Sequence, residues 1–120
     1  MTGDIVHFEL PAENADRAQQ FWTTLWGWQF QDSGMPGMDY RMAQASDTLG
    51  AAISQSEHPQ GYPNVYFDTD DINATVTKVR GLGGTADDKL PVPGMGWFAM
   101  CKDTEGNAFG LWQSDSSAGQ

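Results

Sequence analysis

The chain reads as an α+β protein: two βαβββ modules in tandem, which we expect to form a curved, half-barrel mixed sheet with both helices on its convex side. Three observations predict this. First, Pro36, Gly37 and Met38 return as Pro93, Gly94 and Met95, a shift of 57 that also lays Leu25 and Gly27 on Leu82 and Gly84. Second, one residue is then lost, and a shift of 56 lays Asp47, Thr48 and Gly50 on Asp103, Thr104 and Gly106, and Ala52 on Ala108. Several matches in one order at nearly constant spacing mark an internal duplication. Third, within each copy the apolar period changes from two to about 3.6 and back.

The first module spans 5–56. It opens on IVHFEL, where Phe8 and Leu10 alternate with His7 and Glu9, as in a strand with one apolar and one polar face. A helix follows. Pro11 and the Glu13, Asn14, Asp16 group supply its start, Ala15, Ala18, Trp22 and Leu25 recur at three- or four-residue steps, and Gly27 stops it. Three short strands come next, near WQFQD, DYRMAQ and GAAISQ, separated by SGMPGM and SDTL turns. Residues 57–63, EHPQGYP, read as the linker. The second module, 64–113, opens on NVYFD, with Val65 and Phe67 in the apolar positions of Phe8 and Leu10. Asp70 or Asp71 then caps a helix carrying Ile72, Val76, Val79 and Leu82, ended by Gly83 and Gly84. Strands are predicted near TADD, GWFAMCK and NAFGLWQ, with DTEG turning into the last. The polar residues 114–120 read as a disordered tail. We take the whole as one domain.

One helix covers only one face of a four-stranded sheet. That face takes Phe8, Leu10, Val65 and Phe67, so the concave face is expected to carry His7, Glu9, Asn64 and Tyr66. Composition narrows the partners. Sixteen acidic against six basic side chains give a net charge of −10, and the six cations are scattered, so no nucleic-acid partner is expected. No apolar run approaches the ~20 residues that cross a bilayer, and no secretory leader is legible at the start, so we expect no membrane partner and a cytoplasmic location. A single Cys agrees with that compartment.

The paired βαβββ order, the HFELP opening strand, the RAQQFWTTLWGW helix and the GMGWFAMCKDTEGNAFGLWQ ending together resemble the vicinal oxygen chelate superfamily. The superfamily includes glyoxalase I, extradiol dioxygenases and the fosfomycin- and bleomycin-resistance proteins. The resemblance spans residues 5–113 and is strongest toward its short, uncharacterised glyoxalase-related branch. It implies a metal on the concave floor, with ligands from the first and last strand of each module. Those positions fall on His7, Asn64, Ser54 and Gly110. Only His7 is a good donor, and catalytic metals usually keep three protein ligands, so we expect no metal and no cofactor.

The candidates for ligand binding are therefore His7, Glu9, Asn64, Tyr66, Trp97 and Trp112. The aromatics offer stacking area to a planar ligand, while Glu9 and His7 would fix its orientation. A salt bridge from Glu9 to Arg41 is an alternative use of that carboxylate, and the facing of Trp97 is left open. No catalytic residue is assigned, with Glu9 and His7 the candidates for a proton shuttle. Cys101 and His58 carry no expected chemistry. Trp22, Trp26 and Trp28 read as core or as a dimer seam. The leading expectation is a metal-free, bleomycin-resistance-like protein that binds a small apolar, aromatic or cationic molecule and forms a homodimer. The alternative is a lyase, isomerase or dioxygenase-type enzyme with relocated metal ligands or a Glu9/His7 shuttle.

Overall fold

A computed structural model describes residues 2–120. The chain divides into two compact units, one of residues 6–64 and one of residues 65–120 with the N-terminal stretch up to Ile5.

The first unit contains β1 (Ile5–Ala12), α1 (Ala15–Trp26), β2 (Gln31–Asp32), β3 (Tyr40–Gln44) and β4 (Gly50–Gln55). Its strands lie in the order β2-β3-β4-β1. The β1/β4 pair is parallel and the others are antiparallel. Asn14 starts α1 by accepting from the Arg17 N–H at 2.9 Å, and Gly27, at φ 77°, ends it. Register then sorts the faces. Phe8 lies opposite Ala51, and Leu10 opposite Ile53, which in turn lies opposite Arg41. Arg41 binds Asp16 and Gln19 of α1, so this is the helix-covered face. Ala51 and Ile53 are fully buried there. Arg41 also pairs with Asp39 at 2.8 Å, so it does not serve Glu9, which projects from the other face. Only Gln31 and Asp32 of the expected WQFQD strand join the ladder. Trp28 leaves it because its ring stacks on Trp22, 5.7 Å between centroids, and meets Phe8 at 6.1 Å.

The second unit contains β5 (Asn64–Asp68), α2 (Ile72–Gly81), β6 (Thr85–Ala86), β7 (Leu90–Val92), β8 (Gly96–Lys102) and β9 (Ala108–Ser114). The order is β5-β9-β8-β6, with β7 also paired to β8. Asp71 caps α2 through the Ala74 N–H, and the Gln113 side chain accepts from the Ile72 N–H at 2.8 Å. Ile72 and Val76 of α2 are buried on Ala99, Cys101 and Leu111, with Val79, Ala86, Trp97 and Phe109 packed around them. The α+β class and the βαβββ order thus hold, with β7 as an addition. It contains Pro91, and prolines are admitted at sheet edges, where a missing N–H breaks no ladder.

Residues 115–118, within the segment read as a disordered tail, contact the 93–95 turn. Ala118 is fully buried, its carbonyl accepts from the Gly94 N–H at 3.0 Å, and the Asp115 N–H donates to Met95 at 2.9 Å. The Pro93-Gly94-Met95 turn leaves backbone groups open, and residues 115–118 satisfy them.

Candidate functional site

Each unit presents one sheet face that its own helix does not cover. In the first unit, His7 lies opposite Gly50 and Glu9 opposite Ala52, while Tyr40 and Met42 lie opposite Ser54 and Ala52 on the same face. The small residues of β4 keep this face open between its neighbours. Gly50, Ala52 and Ser54 raise no bulk between β1 and β3, so the Tyr40 hydroxyl reaches across to both polar residues of β1. It lies 2.7 Å from His7 Nε2 and donates to Glu9 Oε2 at 2.6 Å. A Cβ at Gly50 would stand 3.0 Å from His7 Nδ1, so glycine there lets the imidazole settle against β4. Tyr40 is only 9% exposed. Burial lowers the His7 pKa below its ordinary 6.5, against the opposing pull of Glu9, so the imidazole is neutral at pH 7.

In the second unit, the uncovered face is aromatic. Tyr66 lies opposite Gly110 and Asp68 opposite Trp112 across β5/β9, while Phe98 lies opposite Trp112 and Met100 opposite Gly110 across β8/β9. The Tyr66 ring fills the space over Gly110, where a Cβ would come within 2.2 Å of it. The Trp112 indole N–H donates to Ser114 Oγ at 3.1 Å.

The six candidates separate. His7 and Glu9 are brought together, joined by Tyr40. Tyr66 and Trp112 share the aromatic face of the second unit. Asn64 accepts from the Gln60 side chain at 2.9 Å, at the end of the loop before β5. Trp97 is placed elsewhere: it packs beside Ala99 and Cys101 under α2, donates to Asp115 at 3.0 Å, and carries Lys89 Nζ 4.2 Å above its ring. Tyr40, Phe98 and Met100 were missed. The signal for Tyr40 was present in DYRMAQ, whose alternation sets Tyr40 and Met42 on one face.

The donors do not fit the metal that the resemblance implied. The second module's last-strand position is Gly110, and the Tyr66 ring occupies its side-chain space. Ser54 lies opposite Tyr40 on β3, and the Asn64 oxygen is engaged by Gln60. Among the described residues, no three or more His, Cys, Asp and Glu side chains are grouped to hold a cation. Two open clefts, of about 280 and 210 Å³, lie beside α2 and α1 and are lined by Arg80 and Arg41 respectively. Both guanidinium groups are already bound to protein acceptors, so we place the chemistry on the sheet faces.

Comparison with known proteins agrees with this framework. The chain is 32% identical to CFP32 of Mycobacterium tuberculosis, which carries the name glyoxylase, over 92% of this chain and 46% of that protein. It is 28% identical to the anthracycline biosynthesis protein DnrV of Streptomyces peucetius, over 88% of this chain and 45% of DnrV. The chain thus spans about half the length of these relatives. Among solved structures, methylmalonyl-CoA epimerase of Streptomyces coelicolor, in complex with 2-nitronate-propionyl-CoA, superposes with a TM-score of 0.74 over 100% of both chains at 15% identity. That likeness establishes the fold. The model of the glyoxalase-like domain family matches residues 6–112, nearly the entire chain, and the protein belongs to that family.

Proposed function

We propose that this protein binds a small, planar organic molecule bearing hydrogen-bond donors, aromatic or cationic in character, without a metal. The observation that carries the reading is the Tyr40 hydroxyl held between His7 and Glu9, because it spends the donors of the cluster internally. Toward a ligand, the carboxylate of Glu9 is an acceptor by its chemistry. Ammonium, amide or hydroxyl groups match it. On the second unit's own face, Phe98, Met100 and Trp112 offer flat apolar area suited to stacking on a planar body. The name of DnrV supports a polycyclic ligand. A homodimer and a cytoplasmic location belong to the same proposal. The first is supported by the exposed apolar stripe of α1, and the second by the lone, reduced Cys101.

A second reading, proton transfer on the bound ligand, is favoured by the same hydrogen-bonded chain and by the epimerase neighbours. One experiment addresses both. Planar amines and phenols, with proflavine as the cationic member, are titrated in D₂O against tryptophan fluorescence, and the recovered ligands are weighed by mass spectrometry. Saturable quenching is expected, weakened about tenfold by Glu9→Gln, with no deuterium gained. Deuterium in the recovered ligand would favour the enzyme. No saturable response across the panel would overturn binding.

A further inference from the structure

We infer that Tyr40 is the positioning residue of the His7/Glu9 cluster: it holds His7 in the tautomer protonated at Nε2, and its hydroxyl occupies the place between the two donors that a cation would take.

The protons follow from counting. The Tyr40 hydroxyl carries a single proton and donates it to Glu9 Oε2 at 2.6 Å. Tyr40 is then an acceptor toward His7, and the 2.7 Å contact requires a proton on Nε2. The chain therefore has one polarity, His7 to Tyr40 to Glu9. Its geometry also differs from chelation. Both donors stand 2.6 to 2.7 Å from the phenol oxygen, a hydrogen-bond spacing. A transition metal there would need both about 0.5 Å closer. A separate observation agrees: Tyr66 fills the space over Gly110, so a second tyrosine closes another of the four positions where the resemblance would place a ligand side chain. The inference concerns the protons of the cluster and does not depend on which ligand is bound, so failure of the fluorescence titration would leave it standing.

The test uses the full chain labelled with ¹⁵N-histidine, at pH 8, where the two ring nitrogens of neutral His7 are resolved by their coupling to ring protons. Nε2–H is expected in the wild type, and excess ZnCl₂ should leave its signals unchanged. Tyr40→Phe removes this acceptor and should lower the Nε2–H population of His7. Should that variant not fold, Glu9→Gln serves instead. Its amide can donate to Tyr40, which lets Tyr40 donate to Nε2 and drives the proton toward Nδ1. An Nδ1–H signature in the wild type would overturn the inference. So would a tautomer unchanged in every variant that folds, or one equivalent of zinc retained after gel filtration and lost with His7→Ala.

Discussion

Cys101 shows how strongly a single position can be governed by its surroundings. It is 4% exposed beneath α2, and burial, followed by the charge of Asp87, pushes its thiol up to about 11. The folded-state value exceeds the ordinary one of 9.0, so its linked stability is intact below pH 9 and declines as pH rises toward 11. At pH 8 only about one thiol in a thousand is ionised. Ellman's reagent should therefore react slowly with the native chain and at once in guanidinium, and fast native reaction would show that Cys101 is accessible. The inertness was legible, because strand neighbours point to opposite faces and Lys102 could not lower its pKa. His7 and Glu9 were legible for the same reason, since alternation within one strand places both on one face. Tyr40 was not. Its contact with them crosses β4, and whether a phenol spans that strand depends on the register of two ladders and on the small side chains at 50, 52 and 54.

Between elements, the controlling contact is that of Tyr66 on β5 with Gly110 on β9. Glycine in a strand interior forgoes side-chain packing and often marks a close approach. Here a Cβ would stand 2.2 Å from the Tyr66 ring. Gly110→Ala should destabilise the chain by about 1–3 kcal/mol in urea unfolding, the usual cost of overpacking. The cycle with Tyr66→Ala should recover much of that loss, because the two residues compete for one volume. A neutral Gly110→Ala, or strictly additive effects, would place the ring elsewhere. The elements themselves were largely readable from sequence. Asn14, Gly27 and Asp71 punctuate both helices, and β4 matches the GAAISQ segment. What sequence lacked was pairing information. Leu90–Val92 became a strand through pairing with β8, and residues 115–118 meet open backbone groups of the 93–95 turn. Trp97 could be assigned only once its parity with Ala99 and Cys101 met α2.

At the scale of the whole molecule, two properties oppose each other. The net charge of −10 makes copies of the chain repel. In the proposed homodimer the stripe on α1 would draw them together, with Phe21, Leu25 and Trp26 exposed by 58, 50 and 60%. Positions 21, 22, 25 and 26 are neighbours on a helix surface, and the rings of Phe21 and Trp22 meet edge to face at 5.1 Å, so the stripe is continuous. An apolar surface of this kind is self-complementary, and a two-fold pairing would cover it on both copies at once. Electrostatics then gives the test its sign. Repulsion between exposed carboxylates is screened over about 10 Å at 0.1 M salt, while apolar burial is not, so association should tighten as salt rises. Sedimentation equilibrium should report twice the 13.1 kDa chain mass, with a dissociation constant that falls between 0.05 and ~0.5 M NaCl. Trp26→Lys and Phe21→Lys sit in no catalytic or binding cluster, and each should return the monomer without altering the circular dichroism of the fold. A monomer at ~100 μM in high salt would remove the pairing, and a dimer indifferent to both substitutions would move it off α1.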